Sequence, residues 1–362
     1  MHVVVHIGPF KTGSTSIQKS LDRAVDTLWE QGCFFYRGSK MFHEQALNAR
    51  FIRHERNLTP DMRRRFSTLQ NAQDWSEACW QKFEAEVQRR KPALSLISSE
   101  HFSGLRDPAP LIARLRKSFD RITIIAYVRD PVDLYCSSLQ QRIRGGRRLA
   151  QLPSPLSFTY PARRQLETFT NLVGRENMIV RKFSSSNLLN GDVVTDFMAT
   201  VSALGMPLSI PSLRANESMP GAAAAWVLSL NEAYSHSGTT SERQATIRRL
   251  STSADVQALP KLKLTNPTLT DQINNNAHDA CSWINDIFLD GQEPLSLGLT
   301  PAAIDPQAMQ QAREQLRDWL MSYLTTESCQ TVACAVMSMD NANQQLPGKG
   351  NRTSRGARPL RQ

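Results

Sequence analysis

The chain has 362 residues, 40% of them hydrophobic and 21% charged. This composition excludes a wholly disordered, collagen-like or coiled-coil protein, and the length suits two domains or one large α/β domain with an appendage. The net charge is +10, but half of it comes from Lys349, Arg352, Arg355, Arg358 and Arg361 in a tail that has no carboxylate after Asp340, so the body is only mildly basic. The longest apolar runs, such as residues 122–128, fall far short of the ~20 residues that cross a bilayer. The opening Met1-His-Val-Val-Val-His-Ile reads as a strand without a basic leader or a cleavage site, which sets the expectation of a cytosolic protein. Six cysteines without CxxC spacing read as reduced core residues, and no metal site is predicted.

In chain order, short apolar runs predict strands near 2–7, 32–36, 94–98, 122–128 and 177–183, with longer amphipathic stretches between them. This alternation is the pattern of a mainly parallel sheet with helices on both faces, an α/β fold. Ile17, Leu21, Val25, Leu28 and Trp29 form a stripe that predicts one helix over 14–30, and residues 50–90 predict one or two more. Residues 144–155 carry turn formers and positive charge, and predict a mobile loop at the edge of the site. Beyond Pro207 the strand pattern stops, and helices are predicted near 219–235, 239–252, 267–288 and 305–324. The expected organisation is an α/β core over 1–206, a helical portion over 207–340 and a basic, unstructured tail over 341–362.

The segment His6-Ile-Gly-Pro-Phe-Lys-Thr-Gly-Ser-Thr-Ser-Ile-Gln18 joins the first strand to the first helix. Such a turn aims backbone N–H groups and the positive end of a helix dipole at whatever sits above it, an arrangement suited to phosphate or sulfate. Lys11 adds a charge, and Thr12, Ser14, Thr15 and Ser16 add hydroxyls around Gly13. Lys11 precedes the second glycine rather than following it, so the order is wrong for the Walker A loop of an ATPase. A second constellation lies at the fourth strand, in Ile124-Ile-Ala-Tyr-Val-Arg-Asp-Pro-Val-Asp-Leu-Tyr-Cys-Ser-Ser138. There Arg129 ends a buried strand at the sheet's carboxyl edge, with Ser137 two helical turns on. Taken alone, Arg129 and Asp130 would read as an ordinary strand-end ion pair.

The Lys11–Gln18 loop resembles the 5′-phosphosulfate loop of sulfotransferases that use 3′-phosphoadenosine 5′-phosphosulfate (PAPS), in its bacterial version. The Arg129/Ser137 spacing is similar to that family's 3′-phosphate pair. Val180–Ser184 and Asn190–Phe197 resemble its last strand and following helix, and Arg214–Ser218 resembles a turn that opens the C-terminal helices of bacterial relatives. The resemblance spans about residues 2–205. It implies a P-loop-like core, PAPS as donor with 3′,5′-diphosphoadenosine as product, no metal requirement, and an acceptor hydroxyl on a sugar, polysaccharide or lipid-linked glycan. It departs from the small-molecule enzymes in lacking their Pro-Lys and Trp in the loop and their Arg-Lys-Gly segment.

The acceptor hydroxyl must lose a proton, so a base is expected near the loop. Leu94-Ser-Leu-Ile-Ser-Ser-Glu-His-Phe-Ser-Gly104 offers Glu100 first and His101 second at the end of a strand, with His43 third. The acceptor pocket is expected from residues 40–75, 145–165 and the helical portion. A nucleotide-dependent phosphotransferase is the alternative enzyme. Nucleic-acid binding ranks last because no stretch interleaves basic and aromatic residues. The helical portion could also pair two copies of the chain.

Overall fold

The computed structural model describes residues 1–38, 45–213, 218–233, 241–299 and 306–337. His43, most of the Arg214–Ser218 turn and the basic tail over 341–362 therefore lie outside the described residues.

Among the described residues five strands form one sheet: β1 (His2–His6), β2 (Cys33–Phe35), β3 (Leu94–Ser98), β4 (Arg121–Val128) and β5 (Met178–Lys182). Their order is β2-β3-β1-β4-β5, and every pairing is parallel. All five fall within two residues of their expected positions, because strands buried on both faces read as near-continuous apolar runs. The chain leaves β1 in one direction along the sheet and β4 in the other. That reversal opens a crevice outside the carboxyl ends of β1 and β4, where open α/β sheets hold ligands.

The two faces follow the period of two. Val4, Ile125 and Tyr127 point to one side, where α1 (Ser14–Arg23) and α2 (Val25–Glu30) bury Ile17, Leu21 and Leu28. The single helix expected over 14–30 is broken at Ala24 (φ −105°, ψ 19°), which keeps Leu21, Ala24 and Leu28 all in the core. Residues 50–90 form α3 (Pro60–Arg65) and α4 (Leu69–Arg90), each entered through a threonine whose hydroxyl accepts a first-turn N–H, Thr59 from Met62 and Thr68 from Asn71. Helix α4 and α5 (Ala109–Leu115) cover the opposite face, where Val3, Val5, Ile124 and Ala126 meet Trp80, Phe83 and Leu111. Next come α6 (Pro131–Arg144), α7 (Ala162–Val173) and α8 (Val193–Ser202). Helix α7 joins the Trp80 face through Leu166 and Phe169, and α8 joins the α1 face through Val194, Phe197 and Val201.

Among the described residues six further helices follow: α9 (Gly221–Ala233), α10 (Ser241–Thr252), α11 (Ala254–Ala258), α12 (Pro267–Phe288), α13 (Pro306–Met321) and α14 (Thr326–Met337). The patterning anticipated four of them. Each of the other two, α11 and α14, begins at a hydroxyl cap: Ser253 accepts from the Val256 N–H and Thr325 from the Ser328 N–H. No helix among the described residues is long and apolar enough to cross a membrane.

The chain divides into two compact units. One comprises Met1–Arg142, Gln151–Ser218 and Lys263–Trp319; the other comprises Ile143–Ala150, Met219–Leu262 and the residues from Leu320. Residues 207–340 thus contribute to both. In the first unit, α12 buries Ala277, Cys281 and Ile284 against the Trp80 face. In the second, Asn231 donates to the Ile143 and Arg147 carbonyls and Arg243 to those of Ile143 and Arg144. Cys33, Cys79, Cys136 and Cys281 are buried, and all six cysteines are free.

Candidate functional site

Past β1 the chain stays tied to both neighbouring strands. Ile7 N–H donates to Ile125 O, His6 O accepts from Ser99 N–H, and Gly8 O accepts from Tyr127 N–H. It then turns through Gly8 (φ 86°), Lys11 (φ 69°) and Gly13 (φ 81°) into α1. Two of these left-handed residues are glycines, for steric reasons that the neighbours make plain. A Cβ on Gly13 would lie 2.8 Å from Val193 Cγ1 and 2.9 Å from Phe183 Cε2, and one on Gly8 would lie 3.0 Å from Glu100 Cα. The loop therefore sits directly on β5's end, α8 and the Glu100 turn.

Lys11 adopts its left-handed backbone without being glycine. Its carbonyl is thereby presented to Arg129, whose Nη1 donates to it at 3.3 Å. The turn after β1 and the residue ending β4 are thus in direct contact across the crevice. Thr12 is buried and gives its hydroxyl to Pro9 O at 2.5 Å, closing the loop on itself. Ser14 is also buried, with Oγ 3.5 Å from Pro9 O; Ser16 is buried in the first turn of α1 and Thr15 half-buried beside it. Gly13 caps α1 with no side chain, so the helix end carries no built-in anion of its own.

Arg129 is held on several sides. Its guanidinium carbon lies 5.5 Å from the centre of the Phe183 ring, and its backbone carbonyl accepts from the Tyr160 hydroxyl at 2.6 Å. Burial, reinforced by Cys281 and Asp130, pushes the Tyr160 phenol well above its ordinary range, so it remains a donor. The buried Arg129 Nε has no hydrogen-bond partner among the described residues, and a carboxylate oxygen of Asp133 stands 3.9 Å away. Asp130 is not paired with Arg129. It binds Lys182 Nζ at 2.8 Å and accepts from Ser296 N–H at 2.7 Å, while the same ammonium bonds to Glu293 at 3.0 Å. Burial opposes the Lys182 charge, but these carboxylate bonds outweigh it and hold the ammonium above its usual pKa.

A cavity of about 540 Å³ opens between this turn, β4's end, α6 and the segment leading into α7. Lys11, Arg129 and Arg142 line it, with no carboxylate among the described lining residues. Ser138, Gln141 and Gln165 are among its neutral polar residues. Ser137 is half-buried and does not line the cavity; it lies one turn beyond Asp133 on the neighbouring face of α6. The sequence reading missed Ser138, Gln141 and Arg142, although with Leu134 they share one helical stripe at i, i+4, i+7 and i+8.

Glu100 and His101 open a short 3₁₀ turn after β3 and diverge. Glu100 backs the loop at Gly8 and lines neither this cavity nor its neighbour. His101 lies edge-on to Phe10, ring centres 5.5 Å apart, and lines a second cavity of about 250 Å³. Phe10 lines both cavities.

No family model matches the chain, and no curated protein matches it. Among solved structures, the crystal structure of a sulfotransferase from Alicyclobacillus acidocaldarius is similar over 68% of this chain and 95% of that chain, at 16% identity and a TM-score of 0.38. A likeness at that level carries no argument about activity.

Proposed function

We propose that the chain is a PAPS-dependent sulfotransferase acting on a hydroxyl of a carbohydrate or lipid-linked glycan. One observation carries this reading: the turn bearing Lys11 and the strand end bearing Arg129 touch and share a cavity that is lined, among the described residues, by three cations and no carboxylate. Such a cavity favours a ligand with more than one anionic group. An uncapped helix end, Lys11 and an unsatisfied guanidinium Nε make up the donor set that phosphate and sulfate oxygens satisfy. Arg129, together with Ser138 of α6 in place of the expected Ser137, is assigned to the 3′-phosphate, and Lys11 with the Thr12–Ser16 turn to the 5′-phosphosulfate.

When bound, PAPS supplies the sulfuryl group. Lys11 and the first amides of α1 neutralise the charge that grows on the departing phosphate oxygen as sulfur exchanges that oxygen for the acceptor's. His101 is assigned as the base that takes the hydroxyl proton, because it faces the neighbouring cavity while Glu100 faces the loop. Glu100 is assigned to positioning the turn at Gly8. Fixed donors do this work, so no metal ligand is invoked.

The test is turnover of PAPS to 3′,5′-diphosphoadenosine in the presence of chelator and a glycan mixture. The expected result is turnover that survives chelation and falls at least ~100-fold in Lys11→Ala. Magnesium-dependent ATP turnover without PAPS turnover would replace this reading with a phosphotransferase.

A further inference from the structure

The smaller cavity is chemically unlike the larger one. It is bounded by Phe10 and His101 on the loop side and by the 48–57 segment opposite, with Arg53, Arg106 and Asp107 among its lining residues. Asn48 is 4% exposed and its Oδ1 has no partner among the described residues. A buried amide oxygen left in that state calls for a donor from whatever fills the space, and a ligand hydroxyl is such a donor. Asp107 is paired with Arg53. Arg106 is exposed and makes no ion pair or hydrogen bond among the described residues, so its planar fork remains available to a carboxylate or sulfate. The surrounding chain has the same sign: residues 50–65 contain six arginines against Glu55 and Asp61.

We infer that this cavity is the acceptor subsite and that the acceptor is an acidic sugar, with one hydroxyl held by Asn48 Oδ1 and its anionic group by Arg106. The inference rests on the function proposed above and specifies the substrate class at the same site. With His101 on the wall, the hydroxyl that loses its proton lies on the ring that Asn48 and Arg106 hold. The volume, about 250 Å³, is that of a pocket for a single ring rather than an extended chain. The remaining units of a longer glycan would lie over the arginine-rich 50–65 surface.

The test is a ligand-observed NMR titration of the full chain, with and without saturating 3′,5′-diphosphoadenosine. Methyl glucuronide, glucose 6-sulfate and methyl glucoside are the probes. Wild type is expected to bind at least one acidic sugar ~5-fold or more tightly than the glucoside, and the two acidic probes separate a carboxylate from a sulfate as the recognised group. Arg106→Gln is expected to bring the ratio within twofold, while Arg23→Gln, which removes the same charge from an exposed position in the last turn of α1, leaves it unchanged. Equal binding of charged and neutral sugars, no binding of any, or an equal loss in both variants would overturn the inference. Failure of the chain to bind the diphosphate, alongside an intact sugar preference, would instead overturn the donor assignment and leave an acidic-sugar site.

Discussion

Lys11 and Arg129 meet through a backbone carbonyl rather than through their charges, and both residues line the cavity. Asp133, mostly exposed beside Arg129, is a carboxylate that weakens this field from outside the lining. Asp133→Asn is therefore expected to tighten diphosphate binding a few-fold, corresponding to roughly 1 kcal/mol for a partly screened charge pair; unchanged or weaker binding in calorimetry would contradict it. Gly13 gives a second residue-scale prediction. Gly13→Ala must hold φ near 81° and force a methyl group to 2.8 Å from Val193, so a loss of about 2–4 kcal/mol is expected in denaturant unfolding. A variant as stable as wild type would show that the loop is not seated on α8 as described.

At the scale of elements, what the sequence disclosed depended on the range of the interaction. The strands were readable because Val3–Val5 and Ile122–Val128 are buried on both faces, and the loop and Arg129 were readable because both sit where a strand ends. The far wall of the cavity lies in the 145–165 stretch expected to line a pocket, but the contacts that hold it were not readable. Tyr160 reaches Arg129, and Asn276 of α12 pins Pro155 and Leu156, through contacts 31 to 121 residues apart that no local pattern encodes. The role of Asp130 was hidden for the same reason, since its partner is not the adjacent Arg129 but Lys182 on β5 and the chain at Ser296. That clamp ties the segment after α12 to the sheet edge. Lys182→Met leaves the Asp130 carboxylate without its cation and is expected to cost about 2–4 kcal/mol. It should also speed hydrogen exchange at the Ser296 amide selectively; uniform exchange across the chain would argue against a local clamp.

For the molecule as a whole, acid sensitivity follows from β1. His6 is fully buried, with Nδ1 2.8 Å from Ser98 Oγ, and burial lowers its pKa to about 3; His2, lowered mainly by burial and then by Arg121 and the N-terminus, lies at about 4. The unfolded chain takes up these protons near pH 6.5, and the folded chain takes them up only at those lower values. Stability should therefore fall as pH drops from about 6.5 toward 3, by up to ~1.4 kcal/mol per pH unit for His6. His6→Asn, if it folds, should flatten that slope; a profile level down to pH 4 would contradict the burial argument. The central claim is that the Lys11 turn and Arg129 hold the two ends of one bisphosphorylated nucleotide. Calorimetric titration with 3′,5′-diphosphoadenosine and 5′-AMP tests it most directly. The diphosphate is expected to bind at least ~10-fold more tightly than 5′-AMP, a preference abolished in Arg129→Ala, with both ligands weakened in Lys11→Ala; equal affinity for the two ligands in wild type would contradict a shared two-ended site.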